Sequence, residues 1–286
     1  MEWWQSLILG LVEGVTEYLP VSSTGHLLVT QRFLGLESNE TNDAFAICIQ
    51  AGAIVAVLGL YARRVRDMAL GVLGKNPVGL KLSLAVLTAF MPAAIIGLLL
   101  QDWIKLYLFG GEKWGLWPIV AAWFVGGVAI LAVDAYRKKR RSETGTGLDL
   151  ESLTIRMALI IGFIQCIAMW PGVSRSLVTI VGGVLVGLNL RSAVEFSFLL
   201  GVLTLGATTA YDGFKHGAQM LEAFGPGVLA IGFLAAWVSA VLSVKWMVSY
   251  LNKHGLGIFG WYRIALAITI AVLIIQGYFA TTGTPT

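Results

Sequence analysis

Long apolar runs without charge limit the folds open to this chain more than any other feature of its sequence. Six stretches are close to the ~20 residues that a helix needs to cross a hydrocarbon core about 30 Å thick. They are residues 43–61, 82–100, 117–133, 195–211, 227–244 and 264–280. Because a backbone in lipid must satisfy its own hydrogen bonds, these spans are predicted to be α-helices.

The composition supports a membrane location. Hydrophobic residues make up 57% of the 286 residues and charged residues 13%, with a mean hydropathy of +0.79. A soluble domain has about 25% charged residues, so this chain has too few to cover a surface in water. The sequence therefore predicts a protein that crosses the bilayer several times.

The distribution of basic residues predicts the orientation. The net charge of +4 arises largely from residues around 63–66, 137–141 and 245–253, between the predicted spans. Because cytoplasmic loops are enriched in lysine and arginine, we expect these loops in the cytoplasm and both termini outside. The predicted outer loops, 101–114 and 212–225, have no basic excess. Solvated loops explain the positive charge, so we expect no nucleic-acid partner.

Two further apolar segments, residues 2–36 and 153–190, are each interrupted by a polar motif that contains proline. The motifs are PVSSTG and PGVSRS, and each half of a segment is too short to cross the membrane alone. Each segment is predicted to be a re-entrant helical hairpin. Since polar backbone at membrane depth is tolerated only where it is buried or lines a wet cavity, these hairpins are where a site is expected.

The two hairpins are related by a shift of 152 residues, which aligns Ser22 with Ser174. Each is followed by three predicted spans, and an odd number of spans inverts the second half relative to the first. We therefore predict an all-α polytopic membrane protein with two inverted-topology repeats, a known plan for midplane sites. The single domain 1–286 would comprise repeat one (1–136), a cytoplasmic linker (137–152) and repeat two (153–286).

Glu13 and Glu17 are the first candidate site residues. They are four residues apart, so they share one helix face and repel each other. An ionised acid in a bilayer costs roughly 2.5–3.5 kcal/mol or more. The pair is explained by a divalent cation, Mg²⁺ or Ca²⁺, bound between the acids, or by one acid that stays protonated as a general acid. A helix end exposed to water is the alternative without function.

The first interrupting motif supplies hydroxyl groups and an imidazole. Pro20 ends the first helix, and Ser22 or Ser23 can cap the next one, whose free N–H groups attract anions. Thr24 adds a third hydroxyl, and His26 lies about one turn after Ser23. A hydroxyl beside an imidazole is typical of nucleophilic catalysis or proton transfer.

The second motif repeats this arrangement with an arginine. Arg175 lies between Ser174 and Ser176, and Thr179 follows on the same helix face. A guanidinium at membrane depth needs an anionic partner, which is either a phosphate bound bidentately or the acids of the first motif. Arg263, at the start of the last predicted span, is either a further phosphate ligand or an interfacial cation.

The candidate residues together indicate a site that handles phosphate. They comprise paired acids, helix N-termini, an arginine, and a serine near a histidine. The position of these residues in the bilayer indicates that the phosphate is attached to a lipid. We therefore expect a lipid phosphate as the substrate.

The runs GLVEGVTEYLPVSSTGH and WPGVSRSLVT resemble signature motifs of bacterial undecaprenyl diphosphate phosphatases, the bacitracin-resistance family. This resemblance implies an enzyme of the bacterial inner membrane that converts a polyprenyl diphosphate to its monophosphate at the periplasmic face. It implies a catalytic set and a phosphate-binding set. The catalytic set is Glu13, Glu17, Ser23, His26 and Arg175, with both acids also binding the metal. The phosphate-binding set is Ser22, Thr24, Ser174, Ser176, Thr179 and Arg263.

Several alternatives stay open. The residues do not decide whether Ser23, His26 or water attacks the phosphorus. Inverted repeats with broken helices are also typical of transporters, so a flippase for a lipid phosphate is the second candidate. A channel is disfavoured because no span has a repeated polar stripe. Membrane lipids are expected around the protein, and a homodimer is left open.

Overall fold

The structure, a computed structural model, describes residues 1–36, 40–100, 115–144 and 147–279. Within these ranges the chain is helical, and the only β-type pairing is an isolated bridge between Leu148 and Leu188. The α-helices of the described ranges are α1 (Trp3–Thr16), α2 (Ser23–Phe33), α3 (Glu40–Leu60), α4 (Ala62–Val72), α5 (Pro77–Leu99), α6 (Trp117–Thr144), α7 (Ile155–Gln165), α8 (Arg175–Leu185), α9 (Leu190–Lys253) and α10 (Gly257–Ile275). The predicted outer loop 101–114 lies outside the described residues.

Five helical stretches are long and apolar enough to cross a membrane. They are Pro77–Leu99, Trp117–Lys139, Leu190–Lys215, Gly217–Lys253 and Gly257–Ile275. Counted as one span, the bent pair Phe45–Leu60 and Ala62–Val72 brings the number to six. The prediction of an all-α polytopic membrane protein is confirmed, and each of the six predicted spans overlaps one of these stretches.

Two stretches predicted as loops are helical. Residues 62–72 form α4, which meets the end of α3 at 82°. Arg63 is exposed on this helix while Met68 packs against the core, so α4 is amphipathic and its charges do not prevent a helix. The predicted linker 137–152 likewise begins inside α6.

The second stretch, residues 212–225, belongs to α9. That element stays helical until Gly225, where φ of +70° and the following Pro226 break it. The break divides α9 into a first arm before Gly225 and a second arm after it. Both arms contact α3: Thr209 of the first arm donates to Gln50 at 2.7 Å, and Cys48 donates to the carbonyl of Leu229 of the second arm at 3.6 Å. The element therefore bends back on itself, and α3 packs against both arms.

Small residues place α1 against the second arm of α9. A Cβ added at Gly10 would lie 2.4 Å from the carbonyl oxygen of Gly232, so the two backbones touch. Ser243 donates to the carbonyl oxygen of Gly14 at 2.9 Å. Close approach through small residues and interhelical hydrogen bonds is how helices associate in lipid. This contact fixes the face of α1 that carries Glu13.

The interrupted segments have the same local structure at the positions related by the 152-residue shift. Among the described residues, Ser22 (φ +74°) and Ser174 (φ +81°) are the non-glycine residues with positive φ. Each hydroxyl accepts a hydrogen bond that caps the next helix, from the N–H of Gly25 and Leu177 respectively. Such backbone strain, about 1–3 kcal/mol at each position, is typical of functional sites. The inversion of one repeat relative to the other stays a prediction.

A fully buried arginine joins the two interrupting loops. Arg263 is 0% exposed, and its guanidinium donates to the carbonyl oxygens of Pro20 (3.3 Å) and Gly172 (2.9 Å). It also donates to the carbonyls of Ala122 (2.8 Å) and Trp123 (3.4 Å) on α6. Because α10 begins at Gly257, Arg263 lies inside the helix and not at the start of the span as predicted. Its four hydrogen bonds satisfy a charge that would otherwise be costly in lipid.

Candidate active site

The two acids of α1 lie in the protein interior. Glu13 is 1% exposed and Glu17 is 7% exposed, which rules out a helix end open to water. Glu13 lies on the last turns of α1, and Glu17 is the residue that ends it. Burial of two carboxylates is costly unless cations or protons compensate them. Their surroundings therefore decide what the site can do.

Glu17 contacts both interrupting loops. Its Oε1 accepts a hydrogen bond from Nη2 of Arg175 at 3.0 Å, and its Oε2 accepts a short one from Oγ of Ser23. Glu13 differs, because its Oε2 is buried without a hydrogen-bond partner among the described residues. One arginine thus faces two carboxylates, so one acid is left for a cation or a proton.

Arg175 begins α8 and is held by groups from α9 and from the turn that follows α1. Its Nη1 donates to the carbonyl of Ser197 on α9 at 3.1 Å, and its guanidinium lies 5.6 Å from the centre of the Tyr18 ring. Its Nε is buried and has no partner in the described part of the chain. The salt bridge to an acid, one of the two predicted roles, is present, and the Nε–H remains for a ligand.

Ser197 and Tyr18 were not predicted from the sequence. Ser197 lies within an apolar run of α9 and is fully buried, so only its partners reveal its role. Its Oγ is 2.6 Å from Oγ1 of Thr179, which also donates to the carbonyl of Arg175 at 2.8 Å. Tyr18 follows Glu17 in an otherwise apolar stretch, where a tyrosine is ordinarily a core residue.

The predicted serine–histidine pair is arranged differently from the expectation. Ser23 donates to Glu17, and no hydrogen bond joins it to His26 among the described contacts. His26 contacts the carbonyl of Ser22 through Nδ1 at 2.7 Å and Tyr262 Oη through Nε2 at 2.8 Å. Since a carbonyl only accepts, Nδ1 carries a proton. The rings of His26 and Tyr262 are also parallel, at 4° and 5.7 Å.

The remaining residues predicted to bind phosphate differ in how exposed their side chains are. Thr24 is exposed at the start of α2. Ser176 is 1% exposed and donates to the carbonyl of Leu19 at 2.8 Å, which ties the second loop to the first. Ser22 and Ser174 cap their helices, and Thr179 is 0% exposed. These bonds shape the loops; contact of the five hydroxyls with phosphate stays a prediction.

The loops therefore bring the starts of α2 and α8 to one place inside the protein. The first N–H groups of a helix have no partner within it, and with the helix dipole they attract anions. Ser23 and Arg175 begin these helices, and Glu17 contacts both. The fold and site define an integral-membrane protein with a hydroxyl, two carboxylates and a guanidinium at the junction of two broken helices.

The chain belongs to the family of bacitracin resistance proteins. The family described as "Bacitracin resistance protein BacA" matches residues 6–269, nearly the whole chain. This match confirms the resemblance that the two interrupting motifs carry. The matched region includes every candidate site residue.

Curated relatives named undecaprenyl-diphosphatase match nearly the whole chain. The relative from Sorangium cellulosum (strain So ce56) is 42% identical over 271 residues, which are 94% of this chain and 86% of the relative. The one from Cereibacter sphaeroides (strain ATCC 17029) is 42% identical over 275 residues, 96% of this chain and 97% of the relative. "Undecaprenyl-diphosphatase 1" of Mesorhizobium japonicum is 41% identical over 274 residues, again 96% and 97%.

Proposed function

We propose that this protein is an integral-membrane undecaprenyl diphosphatase that hydrolyses undecaprenyl diphosphate to undecaprenyl phosphate and inorganic phosphate. The observation that carries the proposal is Glu17, whose two carboxylate oxygens accept from Ser23 and Arg175. A hydroxyl bound to a carboxylate, beside a guanidinium, is an arrangement for transfer of a phosphoryl group. The product is the lipid carrier reused in peptidoglycan synthesis, and abundant enzyme would confer bacitracin resistance.

The free Nε–H of Arg175 and the first N–H groups of α2 and α8 would bind the diphosphate oxygens. The Oγ of Ser23 attacks the terminal phosphorus as its proton passes to Oε2 of Glu17. The bond to the bridging oxygen breaks, and undecaprenyl phosphate leaves. Water then attacks the phosphorus of the phosphoserine, the bond from phosphorus to Oγ breaks, and Oγ takes back the proton that Glu17 holds. The proton that the water gives up leaves with the inorganic phosphate, so Ser23 and Glu17 are both regenerated.

Ser23 is a better nucleophile than His26 in this arrangement. Both ring nitrogens of His26 already have partners, Ser22 and Tyr262. The Ser23 hydroxyl, in contrast, is bound to the group that takes its proton. His26, one turn further along α2, is the second group that can carry a proton, and Tyr262 fixes its orientation.

We also propose that Glu13 and Glu17 bind a divalent cation, Mg²⁺ or Ca²⁺. The unpartnered Oε2 of Glu13 is the free ligand atom that such a cation needs. No group of three or more histidine, cysteine or acidic side chains could hold a metal within the described ranges. Two carboxylates with oxygens from substrate phosphate suit Mg²⁺. The bound cation would neutralise negative charge that develops on the phosphoryl oxygens.

Phosphate release by the purified protein in detergent tests these proposals. We expect inorganic phosphate from a polyprenyl diphosphate, loss of release in excess EDTA, and recovery on addition of Mg²⁺ or Ca²⁺. A flippase moves a lipid between leaflets without breaking its phosphate bonds, and a detergent micelle has no second leaflet. A flippase alone would therefore release no inorganic phosphate. Absence of release with either metal would reject the phosphatase, whereas full activity in excess EDTA would reject only the metal site and leave Glu13 as a proton carrier.

We further propose that the protein lies in the bacterial inner membrane with its site open to the periplasm and both termini outside. The basic residues of α4, Arg63 and Arg66, and those at 137–141 would then face the cytoplasm. In a variant without Cys48 and Cys166, a single cysteine at position 140 should react with an impermeant maleimide only after cells are opened. A cysteine at position 283 should react in intact cells. The reverse pattern would show that the orientation is wrong.

A further inference from the structure

A polar cavity lies at one end of the helix bundle, where α3 meets α4 and where the first arm of α9 begins and its second arm ends. Its volume is about 440 Å³. Charged side chains dominate its lining, and they are Arg63, Arg64, Asp67, Arg191 and Glu195. The mechanism above uses none of them.

The cavity is separated from the candidate active site by aromatic rings. Tyr61 lines the cavity, and its ring centre lies 5.8 Å from that of Phe198. Phe198 in turn lies 5.2 Å from Tyr18, the ring on which Arg175 rests. Phe198 and Tyr18 are both 0% exposed. The cavity is therefore a distinct place and not the mouth of the site around Glu17.

The charges in the cavity favour an anion. Arg64 is already paired, with Glu195 at 2.6 Å and with Glu151 at 3.0 Å. No ion pair neutralises Arg63 or Arg191 in the part of the chain that the structure describes, and Asp67 is the one further acid in the lining. The lining itself has three arginines and two acids, since Glu151 lies outside it, and the positive charge left over is on the unpaired guanidinium groups.

An apolar cavity of about 320 Å³ lies between α4, α5 and α9, and its Val65 is the residue next to Arg64 of the charged cavity on α4. It is lined mainly by aliphatic side chains, among them Val65 and Met68 of α4 and Leu199, Val202 and Leu203 of α9. These residues of α9 follow Glu195 by one to two helical turns. A charged cavity at the bundle end and an apolar one further along the same helix match a headgroup and an acyl chain.

We propose that this end of the protein binds an anionic glycerophospholipid, with the headgroup phosphate between Arg63 and Arg191 and an acyl chain against the apolar cavity. Basic pockets between transmembrane helices bind anionic headgroups. A phosphate ester is the chemistry recognised, and the apolar cavity assigns it to a lipid and not to free phosphate. The proposal does not depend on the phosphatase reaction.

Native mass spectrometry of the purified full-length protein with added lipid tests this site. Phosphatidylglycerol should bind more tightly than phosphatidylcholine with the same acyl chains. Each arginine near a lipid phosphate contributes about a fivefold factor in affinity. The double variant Arg63→Gln, Arg191→Gln should therefore bind phosphatidylglycerol about 25-fold more weakly, with phosphatidylcholine unchanged.

Two single variants and one competitor complete the experiment. Asp67→Asn should bind phosphatidylglycerol more tightly, a gain that misfolding cannot produce. Arg66→Gln removes the same charge from an exposed position of α4 outside the cavity lining, and its affinity should match that of the unaltered protein. Equal weakening by Arg66→Gln, or no gain in Asp67→Asn, would overturn the proposal. Displacement of the lipid by an equal concentration of inorganic phosphate would show a free phosphate site instead.

Discussion

The Arg175→Lys variant should release phosphate at least about 100-fold more slowly than the unaltered protein, since loss of one positioned donor costs about 10²–10³-fold in rate. A guanidinium can bind Glu17 and the Ser197 carbonyl and still present Nε to a phosphate. Lysine keeps the charge but carries it on one nitrogen with three rotatable donors at the end of a flexible stem, and it has no planar fork. It cannot bind Glu17 and the Ser197 carbonyl with fixed geometry while also orienting the diphosphate.

The measurement is the initial rate on a polyprenyl diphosphate at saturating substrate, with a monodisperse elution profile as evidence of folding. Arg156→Lys is the matched control, because Arg156 lies on α7 of the same interrupted segment and is exposed. Its rate should stay within about twofold, as expected of surface substitutions that change little. A folded Arg175→Lys protein within a few-fold of the unaltered rate would show that charge alone is sufficient at this position.

The spans and the broken segments could be predicted because their signals are local. A helix rises 1.5 Å per residue, so the length of an apolar run fixes whether it crosses the bilayer. Pro20 and Pro171 each follow the end of a helical segment, as proline commonly does, and the polar motif beside each proline distinguishes these breaks from Pro92, which lies inside α5. The shared face of Glu13 and Glu17 follows from helical periodicity alone.

The contacts that complete the site could not be predicted, because they join residues far apart in sequence. Arg175 is 158 residues from Glu17, and His26 is 236 residues from Tyr262. The spacing of Ser23 and His26 suggested a pair, yet the turn that places Ser23 beside Glu17 depends on the positive φ of Ser22. A sequence shows which groups are available and not which of them meet.

Arg263 illustrates the same limit for a single charge. Its position in an apolar helix shows that it needs partners, and a phosphate or an interface would both have satisfied that need. The structure gives it four backbone carbonyls, two of them in the interrupting loops. This arrangement favours a structural role in holding Pro20 and Gly172 together over direct contact with substrate.

The Glu17→Gln variant should lose about 10²–10⁴-fold in the rate at saturating substrate, the usual contribution of a general base. Glutamine has nearly the same shape and can still accept from Arg175 or Ser23, so the loops should keep their positions. It cannot take the Ser23 proton, and the attack on phosphorus therefore slows. Since Arg175 and the helix N-termini are unchanged, the substrate concentration for half-maximal rate should change much less.

Rapid acid quenching with substrate labelled in the terminal phosphate measures the affected step directly. The unaltered protein should carry label on the peptide that contains Ser23. The Glu17→Gln variant should acquire this label more slowly, by the same factor by which its rate of phosphate release at saturating substrate falls. Glu222→Gln, which removes a carboxylate from an exposed position of α9, is the control and should behave as the unaltered protein does. Label on a different peptide would mean that Ser23 is not the nucleophile. Labelling of Glu17→Gln at the unaltered rate would mean that Glu17 does not accept its proton.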